Sequence, residues 1–192
     1  INCARSFLSL LSNGSTNDGI GSHPIIIRFL KGIGKTRPPH PRYDSTWDPS
    51  IVLSYLQKLE PIDSITLEQL TYKTIGLISL ATAHRVQTFS KIQLDEISSS
   101  AEGIIIRISA PLKTSKPNSP QPTLYLPHFS DSPSLCVTRA LTSYINRTIP
   151  FRSDSKKSLF LSFISPHNPV TAQTISRWLK QILKASGVDT NT

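Results

Sequence analysis

The sequence predicts an α+β fold, mainly helical with one small antiparallel sheet, and three observations carry that expectation. Apolar residues recur at helical spacing along much of the chain, most clearly Ile175, Trp178, Leu179, Ile182 and Leu183 at i, i+3, i+4, i+7 and i+8. Two short strand-like runs, residues 104–108 and 123–126, flank a loop bearing Lys113, Lys116 and several prolines, the pattern of a β-hairpin with a long tip. The length of 192 residues and the 38% hydrophobic content allow a core, since a chain of this size buries roughly 70% of its unfolded surface.

Taken in order, residues 3–12 (CARSFLSLLS) read as the end of a helix, stopped by the turn-rich SNGSTNDGIGS run. Ser22, His23 and Pro24 lead into IIIRFLKGIG, a helix expected to end at Gly32 or Gly34. Residues 35–43, KTRPPHPRY, are expected to be extended throughout: three prolines fix φ, lack an N–H and push preceding residues out of helical geometry. That stretch reads as a basic linker able to follow a phosphate backbone, dividing the chain into residues 1–34, a linker 35–42 and a larger domain 43–192.

In the larger domain, Asp48 is the expected N-cap of a helix with Pro49 at its first position, ended by Pro61. Thr66 and Gln69 make a capping box for a long apolar helix through Leu70, Ile75, Leu77, Ile78 and Leu80. Small residues Ala81, Thr82 and Ala83 then precede HRVQTF, expected to open a second helical stretch reaching residues 94–97. Beyond the hairpin, residues 135–147 form a helix with Ala140, Leu141, Tyr144 and Ile145 facing inward, and LFLSF (159–163) is short and extended. The last helix carries a basic stripe of Arg177, Lys180 and Lys184 and is capped by Gly187.

Composition excludes several classes. No run approaches the roughly 18 apolar residues of a membrane span, and INCARSFLSLL lacks the basic region and cleavage site of a signal peptide. Cys3 and Cys136 are too few for a disulfide scaffold or a Cys-rich zinc module, and the five histidines have no ligand spacing, so no metal or other cofactor is expected. Gly34-Lys35-Thr36 fails as a phosphate loop, because Phe29 stands where the leading glycine is needed. The glycosylation-like triplets at Asn13 and Asn146 are discounted without a secretory signal. The chain has no Met and begins at Ile1, so it is expected to belong to a longer reading frame.

The 21 Lys and Arg against 12 Asp and Glu give a net charge of +9, which points to a polyanionic partner, most simply nucleic acid. Residues 1–42 hold six basic side chains against one acidic, residues 43–100 four against seven, and residues 101–192 eleven against four. Two basic segments around an acidic middle are what a clamp-like binder needs.

Within LISLATAHRVQTFSKIQLDEI, residues 77–97, a single arginine, Arg85, follows small residues at a break in an apolar helix. Such a side chain reaches solvent, pairs with Asp95 or Glu96, or meets an anion. The stretch resembles the first catalytic-arginine motif of tyrosine recombinases, the phage-integrase family, where an apolar helix leads through Thr-Gly-x-Arg-x-x-Glu-x-x-x-Leu. Here it reads Thr82-Ala83-His84-Arg85-Val86-Gln87-Thr88, then Leu94-Asp95-Glu96-Ile97. KTRPPHPRYDSTWD, HRVQTF, SLCVTRALTSYI, LFLSF and TISRWLKQIL together resemble recombinase-like proteins of eukaryotic mobile elements of the DIRS and Crypton kind, over nearly the whole chain.

The resemblance implies that residues 1–34 are the tail of a helical core-binding domain and residues 43–192 the larger part of the catalytic domain, serving DNA recombination and integration. In that family a tyrosine hydroxyl attacks a phosphodiester to form a 3′-phosphotyrosine, arginines neutralise the non-bridging oxygens, and a hairpin lysine protonates the leaving 5′-oxygen without a metal. By position Arg85 matches the first arginine and Lys113 the hairpin lysine, with Lys116 as the alternative. Lys35, Arg37, Arg42, His84, Lys116, Arg177, Lys180 and Lys184 are the implied contacts to duplex DNA.

Thr88 stands where the family carries an acid, no His-x-x-Arg occurs, and the nucleophilic tyrosine is absent, Tyr125 reading as a strand residue and Tyr144 as core. These 192 residues are therefore expected to be unable to cleave DNA. The substrate implies a nuclear location, and self-association on DNA would belong to the full-length protein. Two other readings stay open: a non-catalytic DNA-binding module, and a decayed mobile-element fragment without a stable fold.

Overall fold

The computed structural model describes residues 2–12, 20–38, 46–116, 118–153 and 157–189, and the chain divides into two units, 1–46 and 47–192. The first holds α1 (Asn2–Ser12) and α2 (Pro24–Thr36). Arg5 Nε donates to the Gly21 carbonyl at 2.8 Å, and Ser9 Oγ accepts the Gly21 N–H at 2.7 Å, tying α1 to the turn before α2. His23 caps α2 by accepting the Ile25 N–H at Nδ1 (3.3 Å), with Pro24 at the first position, where its missing N–H costs nothing.

The helix passes both glycines, which corrects the expected end at Gly32 or Gly34 and the expected extended geometry from residue 35. Lys35 and Thr36 are helical, and the backbone departs only at Arg37 (φ −133°, ψ 71°), the residue directly before Pro38. Proline restricts its immediate predecessor and no residue further back. Residues 39–45, Arg42 among them, lie outside the described residues.

The larger unit opens with α3 (Pro49–Gln57), capped by Asp48, whose Oδ1 accepts the Ser50 N–H at 2.9 Å. The Thr66–Gln69 capping box forms in both directions, at 3.1 and 2.9 Å, and starts α4 (Leu67–Thr82). Leu70, Ile75 and Ile78 of α4 are fully buried, each worth roughly 1.5–3 kcal/mol of transfer free energy. Thr71 and Thr74, buried among them, satisfy their hydroxyls on the Leu67 and Leu70 carbonyls at 2.7 and 2.8 Å. Gly76 lets α3 approach: a Cβ there would stand 3.1 Å from Leu56 Cδ1.

Residues after α4 depart from expectation. The second helical stretch is one turn, α5 (Val86–Phe89), followed by a 3₁₀ turn at Leu94–Glu96. Its backbone is claimed by a distant partner: the Ile92 carbonyl accepts the Leu159 N–H at 2.9 Å and the Leu94 N–H donates to the Lys157 carbonyl at 2.8 Å. A helix through residues 90–96 would forfeit both bonds.

The sheet has the order β1 (Ile97–Ser99), β2 (Gly103–Arg107), β3 (Thr123–Pro127), all antiparallel. Ile104 pairs with Leu126 and Ile106 with Leu124, so all four bury on one face. Gly103 has φ 155°, and a Cβ there would lie 2.2 Å from the Leu126 carbonyl oxygen, so only glycine fits. α6 (Val137–Thr148) buries Ala140, Leu141 and Tyr144, while α7 (Ala172–Ser186) buries Ile175, Trp178 and Ile182 and ends on Gly187 at φ 93°. The mixed α+β class therefore holds.

Candidate nucleic-acid interface

The turn that presents Arg85 is made by Ala83. It caps α4 in the left-handed region (φ 52°, ψ 24°), with its N–H still bonded to the Ser79 carbonyl at 2.9 Å. The chain leaves extended through Arg85 (φ −70°, ψ 147°), whose carbonyl accepts the Thr88 N–H at 2.9 Å and so begins α5. Phe89 and Ile92, both buried, pin the far side of this turn to the core. His84 and Arg85 are thereby held exposed on a rigid base.

Facing them is the hairpin loop. Ser115 braces it, accepting the Leu112 N–H at Oγ (2.8 Å) and donating to Gln121 Oε1 (2.8 Å). Between loop and turn lies an open cleft of about 530 Å³, lined by Ala83, His84, Arg85, Gln87 and Thr88 on one side and by Leu112, Thr114, Ser115 and residues 119–122 on the other. No carboxylate lines it, and Arg85 is its one fully charged group among the described residues.

Among the described residues the Arg85 guanidinium has no hydrogen-bond or ion-pair partner. The acidic partners weighed for it are engaged elsewhere: Asp95 with Lys157 at 3.5 Å, and Glu96 with the N–H groups of Gln93 (3.1 Å) and Ser109 (2.9 Å). A planar guanidinium facing hydroxyls, amides and no competing acid can take a phosphate oxygen pair in bidentate fashion.

The other candidates fall into three groups. Lys113 joins the site by its backbone, its N–H lying 3.4 Å from Gln87 Oε1, but its side chain is exposed and does not line the cleft; Lys116 is likewise exposed and outside the lining. Arg177, Lys180 and Lys184 are exposed on α7, which packs against α5. Arg177 borders a second cavity, of about 390 Å³, beside Tyr72, Phe163 and Trp178. Lys35 and Arg37 are exposed in the first unit, and Arg42 lies outside the described residues.

None of the described tyrosines lines the cleft. Burial, reinforced by the Glu68 carboxylate, pushes the Tyr72 phenol above its ordinary range, and burial does the same for Tyr144. Tyr144 uses its hydroxyl structurally, accepting the Leu161 N–H at 3.0 Å. Both phenols stay protonated and neither is an activated nucleophile.

Sequence reading overlooked the polar residues that shape the cleft, Gln87, Ser115 and Gln121. Gln87, two residues after Arg85 on a turn that must bend, was the available signal. It also overlooked a cluster around Cys136, where Thr138 Oγ1 lies 3.0 Å from the sulfur and 2.8 Å from His128 Nδ1. Among the described residues no three His, Cys, Asp or Glu side chains gather as a metal site, and no helix is long and apolar enough to cross a membrane. No protein-family model matches the chain, and no curated protein sequence matches it.

Proposed function

We propose that residues 1–192 bind duplex DNA through the Arg85 cleft and the basic face of α7, as part of a tyrosine-recombinase-like protein serving DNA recombination and integration in a mobile element. The observation that carries this reading is an arginine without a partner among the described residues, on the wall of a cleft that no described carboxylate lines. A phosphodiester, with one negative charge and two non-bridging oxygens, matches that single guanidinium. The basic stripe on α7 supports the same reading, since that helix packs against the arginine turn. The proposed substrate places the protein with nuclear DNA.

Binding without strand cleavage is the reading favoured for these residues, because no described tyrosine lines the cleft. The test is duplex binding followed by fluorescence anisotropy across a salt series, with a nicked duplex to trap covalent adducts. Arg85→Ala should weaken binding about ten-fold or more, as expected for losing charge-assisted hydrogen bonds, and Arg85→Lys should recover part of the loss. Binding that ignores salt, or none at low salt, would overturn the DNA reading. A covalent adduct would overturn the binding-only reading.

A further inference from the structure

We infer that Gln87 is the positioning residue of this site: a neutral tether that holds the Lys113 loop against the arginine turn without placing a negative charge beside Arg85. The inference rests on the phosphodiester reading for its purpose, though not for its geometry. Gln87 lies on α5 and lines the cleft with Arg85. Its Oε1 faces the Lys113 N–H at 3.4 Å, across 26 residues of sequence. The loop's base is anchored separately, where the Ser109 N–H donates to Glu96 at 2.9 Å and Leu112 packs against the core. The bonds from Leu112 to Ser115 and from Ser115 to Gln121 are internal and give the tip its shape. Among the described residues, the hydrogen bond from the loop tip that reaches the arginine turn is this one.

The chemistry of the side chain matters as much as its reach. A carboxylate at position 87 would accept the same N–H, and more strongly, yet would stand in the cleft as a competitor for Arg85. A carboxamide supplies the acceptor while leaving the guanidinium free. Thr88, which stands where the resemblance places an acid, also lines the cleft and is equally uncharged.

The test uses the full chain and two variants, Gln87→Leu and Gln87→Glu, with two readouts. Amide hydrogen exchange at Lys113, measured without DNA, reports the tether alone. In Gln87→Leu it should quicken about five-fold, the effect of losing one partly exposed hydrogen bond, and in Gln87→Glu it should be no faster than in wild type. Duplex binding reports the charge. Gln87→Leu should bind duplex more weakly than wild type, with little further loss when it is combined with Arg85→Ala. Gln87→Glu should bind more weakly than wild type at neutral pH and approach it as the introduced carboxyl protonates.

An unchanged Lys113 exchange rate in Gln87→Leu overturns the tether whatever the binding result. Gln87→Glu binding like wild type at neutral pH overturns the requirement for neutrality. If the wild-type chain binds no DNA at low salt, the phosphodiester reading fails by itself, and the exchange rates still decide the tether.

Discussion

Glu60 and Lys73 meet at 2.7 Å, with only 1% of the lysine side chain exposed. The same ammonium donates to the Leu59 carbonyl at 2.7 Å, and the same carboxylate takes both terminal nitrogens of Arg139 at 3.0 and 3.2 Å. One carboxylate thus joins the turn after α3 to α4 and α6. Removing it leaves a buried ammonium uncompensated, so Glu60→Ala should lower unfolding free energy by about 3 kcal/mol in urea titration. Glu60→Gln combined with Lys73→Met should cost clearly less than the two single changes added together. Strict additivity would show that the pair is not coupled.

Acid sensitivity should follow from the same carboxylate. Burial alone would raise the Glu60 pKa, but the hydrogen bonds from Lys73 and Arg139 outweigh it and hold the group below its ordinary 4.5. A folded-state pKa below the unfolded one gives a contribution that is complete above that ordinary value and is lost as pH falls through the lowered one. Stability measured from pH 6 downward (on the order of two units, the span over which such a group titrates) should fall more steeply in wild type than in Glu60→Gln. Parallel curves would assign the acid limb to other carboxylates.

Ala83 holds a left-handed conformation, φ 52° and ψ 24°, that its methyl group disfavours. Ala83→Gly should therefore raise stability by about 1 kcal/mol, visible as a higher melting temperature. A lower melting temperature would mean that the methyl makes contacts worth more than the strain.

If α7 lies along a phosphate backbone, Arg177→Ala, Lys180→Ala and Lys184→Ala should each reduce the slope of log affinity against log salt by about one unit. All three side chains are exposed, so melting temperature should barely move. A slope that is unchanged in all three variants would remove α7 from the interface.

Cys136 should titrate early. Burial raises its thiol pKa, but the Thr138 hydroxyl, the N–H groups of Phe129 and Arg139, and His128 bring it down to about 7. Alkylation by a small reagent should rise with a midpoint near that pH, and Thr138→Val should move the midpoint upward. A wild-type midpoint at the ordinary 9.0 would contradict this hydrogen-bond account.

What the sequence made legible was local. The Thr66–Gln69 box, the Asp48 cap and the period of Ile175, Trp178 and Ile182 each depend on residues a turn or two apart, and each forms as its spacing implies. The helix expected through residue 96 failed because its backbone bonds go to residues 157–159, about sixty positions away, where no local pattern points. The Glu60–Arg139 pair spans 79 residues and was equally hidden. At the candidate site Arg85 stood out as a lone cation among apolar neighbours, a pattern that by itself left solvent, Asp95 or Glu96, and an anion all open. The placement of Lys113 was legible only to the level of its loop, because the side chain that fixes that loop belongs to another element.

The hairpin is closed at its base by the Ile108 N–H on the Pro122 carbonyl at 3.2 Å, so everything between them stands outside the ladder. Doubling such a loop costs only about 0.6 kcal/mol of closure entropy, and none of that is felt by the buried faces of β2 and β3. One wall of the cleft can therefore change in length without disturbing the ladder, while the arginine wall is pinned to the core by Phe89 and Ile92. Descendants of this chain could reshape the cleft by rewriting a dozen or so surface residues, leaving the core and the arginine turn untouched.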